Sequence, residues 1–202
     1  MFDDPSSLAS LLLRFAHIAF GVIWLGVLVF FYLVNAPLQT ELDDATKAKV
    51  NPGLLLRALF WARRTSLYTV LAGWFLFGHK YMGQHLLVED GSITNRGLWI
   101  LTGGFIGTLM WFNLAFIIYP RQRTLLLALA KGEPLPGAET LAATAAASSK
   151  LNLYLSGPLL FCMVVPNNYP GWPFFSLPVA IVVGVGFWFG LVKKAGKVKP
   201  LG

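Results

Sequence analysis

Five apolar runs, each close to the length that crosses a bilayer, constrain this chain more than any other feature. They lie at about 9–35, 54–83 (its apolar part 65–79), 97–119, 150–166 and 173–192. The runs lack the strict alternation of barrel strands. In lipid, a segment must satisfy its own backbone polar groups, so each run is expected to be a helix. The composition agrees: 56% of residues are hydrophobic and 12% charged, against about 25% charged in soluble domains. The expectation is an all-α, polytopic helix bundle with five transmembrane helices, forming a single membrane domain over 1–202.

The charges set an expected orientation. Of 16 Lys and Arg residues, three (Arg14, Lys80 and Arg96) fall on one side of the runs. The other thirteen fall in the 36–64 segment, the 120–150 segment and the C-terminal tail. The positive-inside rule then puts the N-terminus outside and the C-terminus in the cytoplasm. The net charge of +7 is read as anchoring to anionic lipid, not as nucleic-acid binding, because no basic cluster is interleaved with polar recognition residues. The segment before the first run, "MFDDPSSLAS", is acidic rather than basic, so the run is expected to be a retained helix and not a leader. With Cys162 the one cysteine, neither an intrachain disulfide nor a cysteine-based metal site can form.

The first run, "LLRFAHIAFGVIWLGVLVFFYLV", places an imidazole among apolar residues. Helical spacing puts Arg14, His17, Gly21, Trp24 and Leu28 on one face. A glycine one turn from a histidine leaves flat space for a planar macrocycle or for a neighbouring helix, and an arginine one turn outward suits a propionate. Three readings follow: haem b or another metal on His17, a hydrogen bond to a neighbouring helix, or a quinone or proton role. A six-coordinate haem needs a second ligand, for which His79 is the first candidate. The assumed span limits separate the two rings by roughly 7 Å in depth. His85 lies beyond the span, and Met110 and Met163 read as filler.

Other features are read as structural. Asn113 and Ser156 are expected to hydrogen-bond between helices. Gly103 with Gly107, and Gly186 with Gly190, are expected to let backbones approach. The Ala-rich stretch after "GEPLPG" is expected to be a helix leading into the fourth run, and Asn167–Asn168 to form turn chemistry. No carboxylate lies in any apolar core, which argues against a proton wire or a transporter.

Three segments, "LRFAHIAFGVIWLG", "FNLAFIIYPRQR" and "SSKLNLYLSGPLLFCMVVPNNYP", together resemble the membrane domain of the urate hydroxylase PuuD-type family (urate oxidase N-terminal-like). "FWARRTSLYTVLAG" is a weaker match. His17, Gly21, Trp24, Asn113, Pro120, Gln122, Asn152, Ser156 and Pro158 fit the family pattern, whereas Phe60 and Asn168 stand where the family has histidines. The resemblance implies a multi-pass protein of the bacterial inner membrane with a redox association. With no Cys-x-x-Cys-His site in the chain, a cytochrome c would be a separate partner. Two functions are therefore expected: a haem-b electron-transfer or anchor subunit working with a cytochrome c or respiratory partner, with His17, His79, Arg14, Gly21 and Trp24 around the cofactor, or a cofactor-free accessory subunit of a larger membrane complex. Urate chemistry itself is not carried over.

Overall fold

The computed structural model describes residues 4–83, 86–168, 171 and 173–198. These form five long helical rods. The first comprises α1 (Pro5–Phe30), a π-helical segment Phe31–Asn35 and α2 (Ala36–Glu41). The second is α3 (Asp44–Phe77) with a π segment Gly78–Met82. A small antiparallel hairpin follows, β1 (Val88–Glu89) and β2 (Ser92–Ile93). The third rod is α4 (Asn95–Phe112), a π segment Asn113–Ile118 and α5 (Tyr119–Lys131), the fourth is α6 (Ala138–Asn168), and the fifth is α7 (Pro173–Ala195). The all-α expectation holds.

The ends have local causes. Asp4 caps α1 by accepting from the amides of Ser6 and Ser7, and Asp43 caps α3 through the Thr46 amide. The Thr94 hydroxyl caps α4 by accepting from the Gly97 amide. Gly132 ends α5 in the left-handed region, at φ 66°. Two of the π segments stand just before prolines, Pro37 and Pro120. A proline ring collides with the carbonyl four residues back, here Leu33 and Phe116. Both of those carbonyls lie inside the widened turns, which admit the ring without breaking the rod.

The rods pack chiefly as α1 on α3, α4 on α6 and α6 on α7, with α3 also touching α4 and α5. Trp24, Leu28, Ala62, Met110, Leu114, Leu153 and Trp188 form the main buried cluster. The outer surface is apolar: Phe15, Val22, Phe105, Phe175 and Val182 are all exposed, as expected of a surface that meets lipid. Among the described residues, three helices are long and apolar enough to cross a membrane: Pro5–Glu41, Asn95–Lys131 and Phe174–Ala195. The α3 and α6 rods are long but less apolar, because α3 carries lysines, arginines, threonines and a serine and α6 is rich in alanine, serine and asparagine.

The helices outrun the apolar runs at the basic end. The third rod continues to Lys131 rather than stopping near 119, and α3 begins at Asp44 rather than near 54. At 34 residues, α3 is about 51 Å long, well beyond a hydrocarbon core of about 30 Å. The Ala-rich stretch is helical and runs without interruption into the fourth rod, as the sequence led us to expect.

The glycine expectations divide. A Cβ on Gly103 would lie 2.5 Å from the Met163 methyl and 2.8 Å from the Cys162 Cβ, so this face lies against α6. Around Gly186 and Gly190 there is open space. The close approach of α7 is made instead at Gly184, against Gly157 of α6.

Candidate functional site: the α1–α3 seam and a buried amide network

The seam between α1 and α3 is built from small residues. Ala62, Thr65, Ser66, Thr69 and Ala72 are buried along α3, and Gly73 stands beside them. The hydroxyls return to their own helix: Thr65 donates to the Trp61 carbonyl at 2.7 Å and Thr69 to the Thr65 carbonyl at 2.7 Å. With these hydroxyls satisfied, the α3 face is smooth and α1 can come close.

His17 lies on this face, half-buried. Its Nδ1 is 2.9 Å from the Thr69 carbonyl oxygen. A carbonyl only accepts, so Nδ1 carries the proton and donates. The ring lies against Gly73, where a Cβ would stand 2.9 Å from both Nδ1 and Cε1. The space at Gly21 is taken by the Thr69 methyl, 3.6 Å from where a Cβ would be. Of the two occupants considered for the flat space below His17, a neighbouring helix fills it. Trp24 is buried in the main cluster, and Arg14 is exposed.

His79 sits elsewhere, in the π segment that ends the second rod. Its Nε2 is 3.1 Å from the Ser6 carbonyl oxygen and 3.3 Å from the Ser6 hydroxyl. It ties the end of that rod to the first turn of α1. Asp4 caps the same turn, and its carboxyl is held below the usual range by the Ser7 hydroxyl and the Ser6 and Ser7 amides. Positions 6 and 17 on α1 are separated by about 16 Å of helix at 1.5 Å per residue. Two imidazoles on one iron need nitrogens about 4 Å apart, each roughly 2 Å from the metal. The structure does not bring His17 and His79 together, and the pair does not fit a shared haem. The depth of roughly 7 Å expected from the span limits is corrected by the antiparallel register, which sets Ser6 beside His79 and His17 beside Thr69 and Gly73. His85 lies outside the described residues.

A second polar constellation lies deeper in the bundle. Asn113 donates to the Asn152 side-chain oxygen at 2.8 Å and to the Ser148 carbonyl at 2.9 Å. Asn152 in turn donates to the Met110 carbonyl at 2.9 Å. The expected interhelical role of Asn113 is thus present. Ser156 differs: its hydroxyl donates to Leu153 in its own helix, because at a fully buried position the nearest acceptor is the carbonyl one turn back. Asn168 likewise bonds the Val164 carbonyl as the last residue of α6, not as part of a turn.

Beside this network is a cavity of about 20 Å³, room for roughly one water. Trp24, Gln122, Ser149 and Asn152 line it together with apolar side chains. A second amide cluster joins the first two rods, where Gln39 and Asn51 exchange hydrogen bonds at 3.0 and 2.7 Å and Gln39 also donates to Asn35. Neither Asn51 nor Gln39 stood out in the sequence, since both sit in polar flanks where amides are common.

No curated protein and no solved structure matches the chain. The profile of one protein family, described as urate oxidase N-terminal, matches residues 88–193. That stretch runs from β1 into the end of α7 and includes Asn113, Gln122 and Asn152, while the seam bearing His17 and His79 precedes it. With more than half of its length so matched, the chain belongs to the urate oxidase N-terminal family.

Proposed function

We propose that this chain is a membrane-embedded anchor or accessory subunit of a redox complex related to urate oxidation, in the bacterial inner membrane. It crosses the bilayer five times, with its N-terminus outside and its C-terminus in the cytoplasm, and works beside a separate cytochrome c or respiratory partner. Family membership and the apolar outer surface support the membrane and redox parts of this reading.

One observation carries the anchor role. Each candidate ligand is engaged in holding α1 on the second rod, His17 at Thr69 and His79 at Ser6. Both histidines are accounted for by hydrogen bonds that an imidazole on an apolar helix needs in any case. The absorption spectrum of the detergent-purified protein from a haem-replete host tests the reading. A colourless protein that takes up no added haem is expected. A reducible Soret band lost on replacing either histidine would overturn it.

A second reading rests on the ring of His17. Its Nδ1–H donates to a backbone carbonyl, the orientation that leaves Nε2 as the basic nitrogen in many metal-bound histidines. In that reading His17 holds haem b alone from this chain and a partner supplies the other ligand; the haem would provide one-electron transfer. The band would then disappear in His17→Ala and survive in His79→Ala.

A further inference from the structure

Three cations lie toward the end of the bundle where α1 begins, and each comes from a different rod: Arg14 from α1, about 12 Å of helix beyond Ser6, Lys80 from the π segment after α3, and Arg96 from the first turn of α4. They are the chain's only Lys or Arg residues on that side of the apolar runs. Local structure places Lys80 and Arg96. His79, next to Lys80, is bonded to Ser6. The Tyr81 carbonyl accepts from the Leu87 amide, and the Leu87 carbonyl accepts from the Thr94 amide, two residues before Arg96. Arg96 is further held by its Nε, which donates to the Pro166 carbonyl at 2.9 Å, while its terminal nitrogens have no hydrogen-bond partner among the described residues.

Like charges repel, so a chain gains nothing by gathering them without a counter-charge. Arg14 and Arg96 are close enough for their charges to act on both Lys80 and Tyr81. Among the described residues, none of the three has an ion-pair partner. The flank of the cluster is apolar and exposed: Leu11, Phe15 and Ile18 on α1, and Trp74 on α3. Tyr81, next to Lys80 in sequence, stacks on the buried Phe77, and tyrosine is a residue that settles at headgroup level.

We infer that Arg14, Lys80 and Arg96 form a site for the phosphate of an anionic phospholipid, whose acyl chains lie along the exposed apolar flank of α1 and α3. The apolar flank is what favours a lipid over a soluble phosphate, since a free anion would have no use for it. The site is independent of the redox reading and of any cofactor.

Native mass spectrometry of the protein in neutral detergent tests this, with phosphatidylglycerol, phosphatidylcholine and inorganic phosphate as separate probes. Phosphatidylglycerol should be retained in preference to phosphatidylcholine. The double variant Arg14→Gln, Lys80→Gln leaves the Arg96–Pro166 bond intact and should weaken retention about 25-fold, near fivefold per cation. Lys193→Gln with Lys194→Gln, at the opposite end, should leave this retention component unchanged. Lys80→Gln alone, at the end of its rod, serves if the double variant does not fold. Variants that retain phosphatidylglycerol within about twofold of the parent would overturn the proposal. Inorganic phosphate that displaces the lipid at equal concentration would overturn the lipid as occupant.

Discussion

Gly157 and Gly184 meet backbone to backbone: a Cβ on Gly184 would lie 2.6 Å from the carbonyl carbon of Gly157 and 2.7 Å from the nitrogen of Pro158. Backbone cannot move aside as a side chain can, so this contact fixes how closely α6 and α7 approach. Gly184→Ala should therefore destabilise the bundle by about 1–3 kcal/mol, the usual range for overpacking. Gly186→Ala, in open space two residues on, should be neutral or slightly stabilising because alanine is the better helix former. Melting temperatures of the two variants in one detergent check the contrast. Equal effects would place the helix contact elsewhere on α7.

The glycines also show how much the sequence could disclose. A four-residue spacing of small residues occurs at both 103/107 and 186/190, and only the first pair faces a helix. Spacing identifies a possible seam, but not which side of a helix its neighbour occupies. Helix existence was legible because apolar length dictates it. The ends at the basic side were not, since hydropathy reports where lipid stops and α3, α5 and α6 continue past that point as polar helix. The face of His17 was legible from its spacing with Gly21 and Trp24. Its distance from His79 was not, because depth depends on the register of α1 against α3, and the small residues that set this register, Thr69 and Gly73, carry no conspicuous chemistry.

Asn152 joins two helices by accepting from Asn113 and donating to Met110. Asn152→Ala removes both bonds and enlarges the adjoining cavity, and should cost about 1–2 kcal/mol, since interhelical hydrogen bonds in membrane proteins average about 0.6 kcal/mol each. Ser156→Ala removes a bond within one helix and should cost under about 1 kcal/mol. Detergent unfolding of both variants checks the order, and a reversed order would mean that the network does not join α4 to α6.

The charge asymmetry predicts orientation. A green fluorescent protein fused after α7 should be bright, and alkaline phosphatase at the same point should be inactive. The opposite pattern would reverse the topology, and with it the leaflet of the Arg14, Lys80 and Arg96 cluster.

His17 and His79 act separately, each holding α1 to the second rod at its own depth. Disulfide trapping in native membranes tests this directly, because a disulfide requires Cα atoms within about 7 Å. In a Cys162→Ala background, Ser6→Cys with His79→Cys should cross-link on mild oxidation, and His17→Cys with His79→Cys should not. Ready cross-linking of the His17 and His79 positions, with none between positions 6 and 79, would contradict the account and restore a shared ligand site.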